Sequence, residues 1–263
     1  MNTFTMLTGG ACTVLACLGL ASPASGAQKV VEYSLSVAGI PLGKAKLFYG
    51  ITPDSYNFTT SVKITGLADW FVDGKGQLST SGKIEVDKLV PVHFRADGKV
   101  NKTSYVIDMA YSNGMADTKT LVPPVKTDPR RVPVTAEHRK ALDPLSAWML
   151  PIAEGRSPFD PANCGMELAV FDGSSRHNLK MSFKEVKEVK TGGYKGKVLV
   201  CSVRYQPVSG HRPGREGVKF MEQNKDIYVW YAPLTATNLL VPAKIHVATG
   251  YGAAEAVLSR VKN

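Results

Sequence analysis

The stretch "YNFTTSVKI", residues 56–64, sets Tyr56, Phe58, Thr60, Val62 and Ile64 on one side of the chain and Asn57, Thr59, Ser61 and Lys63 on the other. A two-residue alternation of this kind cannot line one face of a helix and marks a half-buried strand. The same period recurs in Tyr33, Leu35, Val37; in Ala45, Leu47, Tyr49; in Val92, Phe94, Ala96; and in Tyr105, Ile107, Met109, Tyr111. It returns in Leu199, Cys201, Val203, Tyr205, in Ile227, Val229, Tyr231, and in Ile245, Val247. Turn-forming clusters ("AG", "PDS", "DGK", "SNG", "TGG", "TGYG") separate these runs at short spacing. Strands with one solvated face belong to antiparallel sheets. The sequence therefore predicts an all-β fold, an antiparallel open or spiral β-barrel of many meandering strands.

One segment departs from the alternation. In "DPLSAWMLPIAE", Asp143 can cap, Pro144 suits a first helical position, and Leu145, Trp148, Met149 and Ile152 recur at helical spacing. This predicts one short amphipathic helix over 143–154, kinked or ended by Pro151. So short a helix must dock its apolar face on the sheet, as a plug in an open barrel. Leu145, Trp148 and Met149 then have two readings: core packing, or one wall of an apolar ligand cavity. The Pro-rich stretch "PPVKTDPRRVPVTAEHRK" before the helix has no period. It makes 123–142 a connector between a first meander, 28–122, and a second, 164–263, within one β-rich domain.

Residues 1–27 contain no Lys, Arg, Asp or Glu, and their apolar stretch gives way to Pro23 and the small residues Ser25, Gly26 and Ala27. This is the pattern of an export signal cleaved after Ala27, and it predicts a periplasmic protein. The apolar run falls short of the ~20 residues that span a bilayer, and the rest of the chain has no membrane-spanning run. Cys17 follows "VLA", but Leu15 is too large for the small residue that a lipidation motif places there. Export would leave two cysteines, Cys164 and Cys201, 37 positions apart. In an oxidising compartment an even pair reads as a disulfide, stabilising by roughly 3 to 4 kcal/mol through loop closure. The alternatives are two buried thiols or a redox pair, although neither cysteine has the Cys-x-x-Cys context of redox catalysis.

A net charge of +10 directs attention to anionic partners: lipid, lipopolysaccharide or an acidic protein. Nucleic acid is not expected, since no nucleic-acid-binding signature is present. Two basic stretches supply Arg130, Arg131, Arg139 and Lys140 from the connector, and His211, Arg212 and Arg215 from "SGHRPGREGVK", which reads as a hairpin loop or flap. They are either solvated loop charge or a joint anion-binding rim. The five histidines lie far apart in sequence, no metal-ligand spacing occurs, and "GYGAAE" lacks the third glycine of a dinucleotide fingerprint. No metal, cofactor or catalytic residue is predicted, and a hydrolase built from scattered residues has no visible nucleophile and base pair.

The stretch "AVFDGSSRHNLKM", residues 169–181, gathers Asp172, Arg176 and His177. Met166, Leu168 and Val170 alternate before it, and His177, Leu179, Met181 and Phe183 after it, so it reads as a β-hairpin turning at Asp172–Ser175. Arg176 and His177 then point to opposite faces and cannot converge on Asp172 as an acid and base would.

Taken in order, "YSLSVAGIPLGKAKLFY", "GKIEVDKLVPVHFRAD", "LDPLSAWM", "CGMELAVFDGSSRHNL", "VLVCSVRYQPVSGHR" and "VPAKIHVATGYGAAEAVL" resemble the bacterial exported family of domain of unknown function 3108. The paired cysteines are more loosely similar to envelope-integrity proteins with a disulfide-stapled β-spiral. The resemblance implies a β-rich exported protein with a non-enzymatic role in envelope upkeep and brings no catalytic residues. Two functions are expected to compete: a binding or scaffold module meeting an anionic envelope component, or a carrier holding a lipid or other apolar ligand inside the barrel.

Overall fold

The alternating runs fold as strands that pair almost entirely with their sequence neighbours. A computed structural model describes residues 29–64, 74–235 and 237–262. The export segment and Cys17 lie outside them. The first meander comprises β1 (Lys29–Val37), β2 (Ile40–Ile51), β3 (Ser55–Ile64), β4 (Gly74–Glu85), β5 (Lys88–Val100), β6 (Thr103–Ser112) and β7 (Met115–Val122). After the connector come β8 (Leu150–Pro151), β9 (Glu167–Phe171), β10 (Arg176–Lys190), β11 (Lys195–Ser209), helix α1 (Glu216–Gln223), β12 (Ile227–Pro233), β13 (Leu239–Thr249) and β14 (Gly252–Lys262). One antiparallel sheet runs β7-β6-β5-β4-β3-β2-β1-β14-β13-β12-β11-β10-β9, with β8 added to β13. The two meanders join where β1 pairs with β14, so Val31 lies opposite Val261 and Leu35 opposite Ala256.

The sheet curls into a nearly closed barrel whose unsealed seam lies between β7 and β9. The connector occupies that seam. Lys140 bridges to Met115, Leu142 bridges to Val170, and Leu142 accepts from Phe171 N at 2.9 Å while donating to Ala169 O at 2.8 Å. Thr118 Oγ1 reaches across to Gly173 O at 3.0 Å. Both edge strands are thereby covered rather than left as templates for another chain.

Inward residues build two cores. One gathers Tyr33, Leu47, Tyr49, Tyr56, Phe58, Phe94 and Met109; the other gathers Leu150, Met181, Leu199, Cys201, Val229, Tyr231 and Leu240. The expected helix over 143–154 does not form. Its place is taken by a single 3-10 turn, Ser146–Trp148, followed directly by β8, whose Leu150 and Pro151 pair with Leu240 and Leu239. The plug expectation survives in another form. Leu145 and Met149 face the first core, while Leu150 and Ile152 face the second. An extended segment can fill both sides at once, which an amphipathic helix with one apolar stripe cannot.

Three further differences have local causes. Val92 is 47% exposed because the register shifts between Ser81 and Gly82, leaving Pro91 and Phe94 as the inward residues. The stretch expected as a flap at 209–219 instead leads into α1, with Glu216 in its first turn. On β11, Val198 and Val200 are fully buried as well as Leu199 and Cys201, because Tyr194, Trp230, Ala232 and Ala243 cover the outer face there.

Candidate functional site

The disulfide lies in the second core. Cys164 and Cys201 are bonded, with Cα atoms 5.5 Å apart, and both are fully buried. The bond ties a 3-10 turn at Pro161–Cys164 to β11, and Asp160 caps that turn by accepting from Ala162 N at 2.8 Å. The chain just after the plug is therefore fixed covalently to the barrel wall.

The plug itself is anchored by Asp143, which has no solvent exposure. Its Oδ1 accepts from Leu145 N at 2.9 Å and Ser146 N at 2.8 Å, and its Oδ2 accepts from Ser146 Oγ at 2.6 Å and Thr80 Oγ1 at 2.8 Å. With the Ser146 hydroxyl hydrogen committed to Asp143, the Tyr56 hydroxyl at 2.9 Å must donate to Ser146 Oγ. Burial pushes the Asp143 carboxyl up, opposed by these donated bonds from Ser146, Thr80 and Leu145. Burial also pushes the Tyr56 and Tyr111 phenols far up, so both stay protonated. Asp143 was legible as a cap, but its partner Thr80 on β4, and the bond from Tyr56 on β3 to Ser146, were not.

Leu145, Trp148 and Met149 do not form one wall. Leu145 is 7% exposed and Met149 4%, both against the first core, while Trp148 packs on the second. A depression of about 660 Å³ opens at one barrel end between the β2–β3 and β4–β5 turns and mixes Ile51, Ile84 and Leu239 with Thr52, Glu154 and Asn238. A second hollow, about 330 Å³, is lined by Val62, Ile64, Leu78, Ala96, Tyr105 and Ile107 around Gly74, Gly76 and Gly98. None of the three expected wall residues lines either of them, but Met149 lines a further hollow, about 300 Å³, with Leu89, Leu142, Leu150 and Leu168.

The hairpin at 169–181 forms as read. Asp172 Oδ1 accepts from Ser174 N at 2.9 Å and Ser175 N at 2.7 Å, closing the turn. His177 stacks on Tyr205 with ring centres 5.0 Å apart, and burial pulls its imidazole below the usual value. Arg176 donates from Nη1 to His177 O at 2.6 Å and contacts Asn178 Oδ1. Each of the three side chains is thus committed to a different neighbour.

The expected rim is brought together only in part. The connector is tied to the loop after β11: Val132 N donates to His211 O at 3.0 Å, and Gly210 N donates to Val132 O at 2.8 Å. This sets Asp128 between two guanidinium groups. Arg130 grips it through Nε and Nη2, both at 2.9 Å, and Arg212 Nη1 adds a bond at 3.1 Å. The Arg130 guanidinium, helped by its backbone N–H and by Arg212, holds the Asp128 carboxyl well below the carboxylate range. Lys140 is paired with Glu137 at 2.9 Å beside the seam, next to Arg139. Arg131 and His211 are half-buried and Arg215 is exposed just before α1. Among the described residues, buried Arg176 Nε, Ser209 Oγ and His211 Nδ1 have no hydrogen-bond partner.

One surface feature went unread in the sequence: Tyr228 and Trp230 of β12 and His246 of β13 form an aromatic group roofed by lysines. Lys184 Nζ sits 3.7 Å from the Tyr228 ring centre, and Lys244 Nζ sits 5.2 Å from that of Trp230. Lys244 and His246 both contact Glu255, at 2.7 and 2.8 Å, so its charge is locally balanced. No group of three or more His, Cys, Asp or Glu among the described residues could hold a metal ion, and no helix among them is long and apolar enough to cross a membrane.

Comparison with known proteins places this geometry. A β-barrel-like protein of domain of unknown function DUF1849 from Brucella abortus superposes with a TM-score of 0.51 at 10% identity, covering 89% of this chain and 97% of that one. A crystal structure from Parabacteroides distasonis, described as "a putative lipoprotein", superposes with a TM-score of 0.43 at 11% identity, covering 89% and 95%. At such identity the first shows a shared fold alone. No curated protein matches in sequence. The model of the family "Protein of unknown function (DUF3108)" matches residues 32–259, and the chain therefore belongs to the DUF3108 family.

Proposed function

We propose that this chain is an exported, non-enzymatic binding module of the bacterial cell envelope, resident in the periplasm, that meets an anionic envelope component through its basic surface. The observation that carries the reading is the filled interior. Phe58, Phe94, Met109, Leu150, Leu199 and Tyr231 are all fully buried, and the Asp143-anchored segment passes between the two cores. A carrier needs a continuous apolar cavity, and the plug divides that space, leaving an apolar hollow of about 330 Å³ at the β3–β5 end. The net charge of +10 supports an anionic partner, and the disulfide together with the charge-free N-terminal segment supports export.

The test is a salt titration of the oxidised protein against vesicles containing an anionic phospholipid, and against lipopolysaccharide. The reading predicts binding at low ionic strength that weakens steeply as added salt shortens the screening length from about 10 Å toward about 3 Å. Binding indifferent to salt, or no binding to either, would contradict it.

A further inference from the structure

The register of the first meander sets four lysines side by side. Lys44 of β2 lies opposite Lys63 of β3, Lys63 opposite Lys75 of β4, and Lys75 opposite Lys99 of β5. All four are exposed, and none has a carboxylate within ion-pairing distance among the described residues. Asp97, one row away, is engaged by Arg95 at 3.6 Å. Like charges directly opposite one another across strands weaken a sheet. Three such pairs in succession make an ammonium row about 14 Å long at the ~4.8 Å strand spacing, and no carboxylate among the described residues neutralises it.

The opposite face of the same strand ends supplies a second observation. Alternation turns the neighbours of each lysine inward: Val62 and Ile64 flank Lys63, Gly74 and Gly76 flank Lys75, Gly98 and Val100 flank Lys99. These residues line the apolar hollow of about 330 Å³. Glycine is required at 98, since a Cβ there would meet the β4 backbone at Lys75 O, 2.8 Å, and Gly76 Cα, 3.0 Å. At its rim Val100 and Tyr105 are both 43% exposed. At these strand ends a cationic row on one face and, at the rim of the other, an exposed aliphatic and a tyrosine supply the two kinds of group found where charged headgroups meet hydrocarbon.

We propose that the β3–β5 end of the barrel docks on the surface of an anionic phospholipid bilayer, with Lys44, Lys63, Lys75 and Lys99 on the headgroup phosphates and Val100 and Tyr105 at the hydrocarbon boundary. The proposal rests on the binding-module reading above and names its partner. The row, rather than the connector arginines, is the chief anion-binding element, because Arg130 and Arg212 are already engaged by Asp128.

The experiment is flotation of the oxidised full chain with vesicles of phosphatidylglycerol and phosphatidylcholine, or of phosphatidylcholine alone. It compares the wild type with Lys63→Gln/Lys75→Gln, with Tyr105→Ser, and with a charge-matched control, Lys180→Gln/Lys195→Gln. The wild type should float only with anionic vesicles. The paired substitution in the row should weaken binding about thirtyfold, at roughly a kilocalorie-scale contribution per lysine, and the control should change it less than threefold. The row variant should melt no lower than wild type, because it relieves repulsion, so loss of binding is separable from loss of fold. Tyr105→Ser should weaken binding while leaving its salt dependence intact. Equal loss in row and control would overturn this site but leave the basic-surface reading standing. Failure of wild type to float with anionic vesicles, or equal flotation with neutral ones, would overturn the bilayer dock. Displacement by millimolar inorganic phosphate would show a free-phosphate site and overturn it too.

Discussion

Asp143 shows how a residue can be read correctly and still be underestimated. Its identity and the Pro that follows it announce a cap, and it does cap, accepting from Leu145 N and Ser146 N. What fixes the plug in the barrel is the other oxygen, which accepts from Ser146 and from Thr80 of β4. No local pattern carries that second set, since Thr80 precedes Asp143 by 63 positions. Asp143→Ala would leave several buried donors unpaired, each costing on the order of 1–3 kcal/mol. We expect a loss of about 3 kcal/mol or more, read as a lower urea midpoint with an unchanged slope; a loss under about 1 kcal/mol would show that the plug is held by packing instead. The single wall expected of Leu145, Trp148 and Met149 is divided between two cores for a related reason. Their spacing suits a helical stripe, but the residues adopt a 3-10 turn and a short strand, so the same positions point into two different cores.

At the scale of elements, strands were the legible part. The alternation in Tyr56 to Ile64 and in Tyr33 to Val37 matches β3 and β1, and the turn at Asp172–Ser175 falls between β9 and β10 as read. Where alternation was blurred, tertiary structure had intervened: both faces of β11 are covered at Val198 to Cys201, and a bulge turns Val92 outward. Helix α1 went unseen because "RPGREGVKF" carries glycine and proline that mark loops. The cysteine pairing was legible by elimination of the N-terminal pair, and it joins two elements that the sheet itself leaves unpaired, the Pro161–Cys164 turn and β11. Cys164→Ser should lower the melting temperature of oxidised protein, by removing roughly 3 kcal/mol of loop-closure stabilisation, and reductant should then have no further effect. An unchanged melting temperature would mean that the core alone holds this turn.

For the whole molecule, the order of strands gives a barrel and the connector decides what kind. A curled sheet with an open seam could enclose a ligand, as larger barrels do. Here the chain between the two meanders enters the seam at Lys140–Leu142, is pinned by Asp143 and leaves alongside β13, filling the interior with its own side chains. The proposed binding is thereby assigned to the outside of the barrel and its ends, where the lysines of β2–β5 have no carboxylate partner among the described residues. The central claim is that this barrel is a packed module working through its surface rather than a container. Native mass spectrometry of the protein purified gently from cells, with and without reductant, tests it most directly. The account predicts a bare chain, lighter by two hydrogens than its reduced form because of the Cys164–Cys201 disulfide. Additional lipid-sized mass that stays through purification and leaves only on denaturation would contradict it.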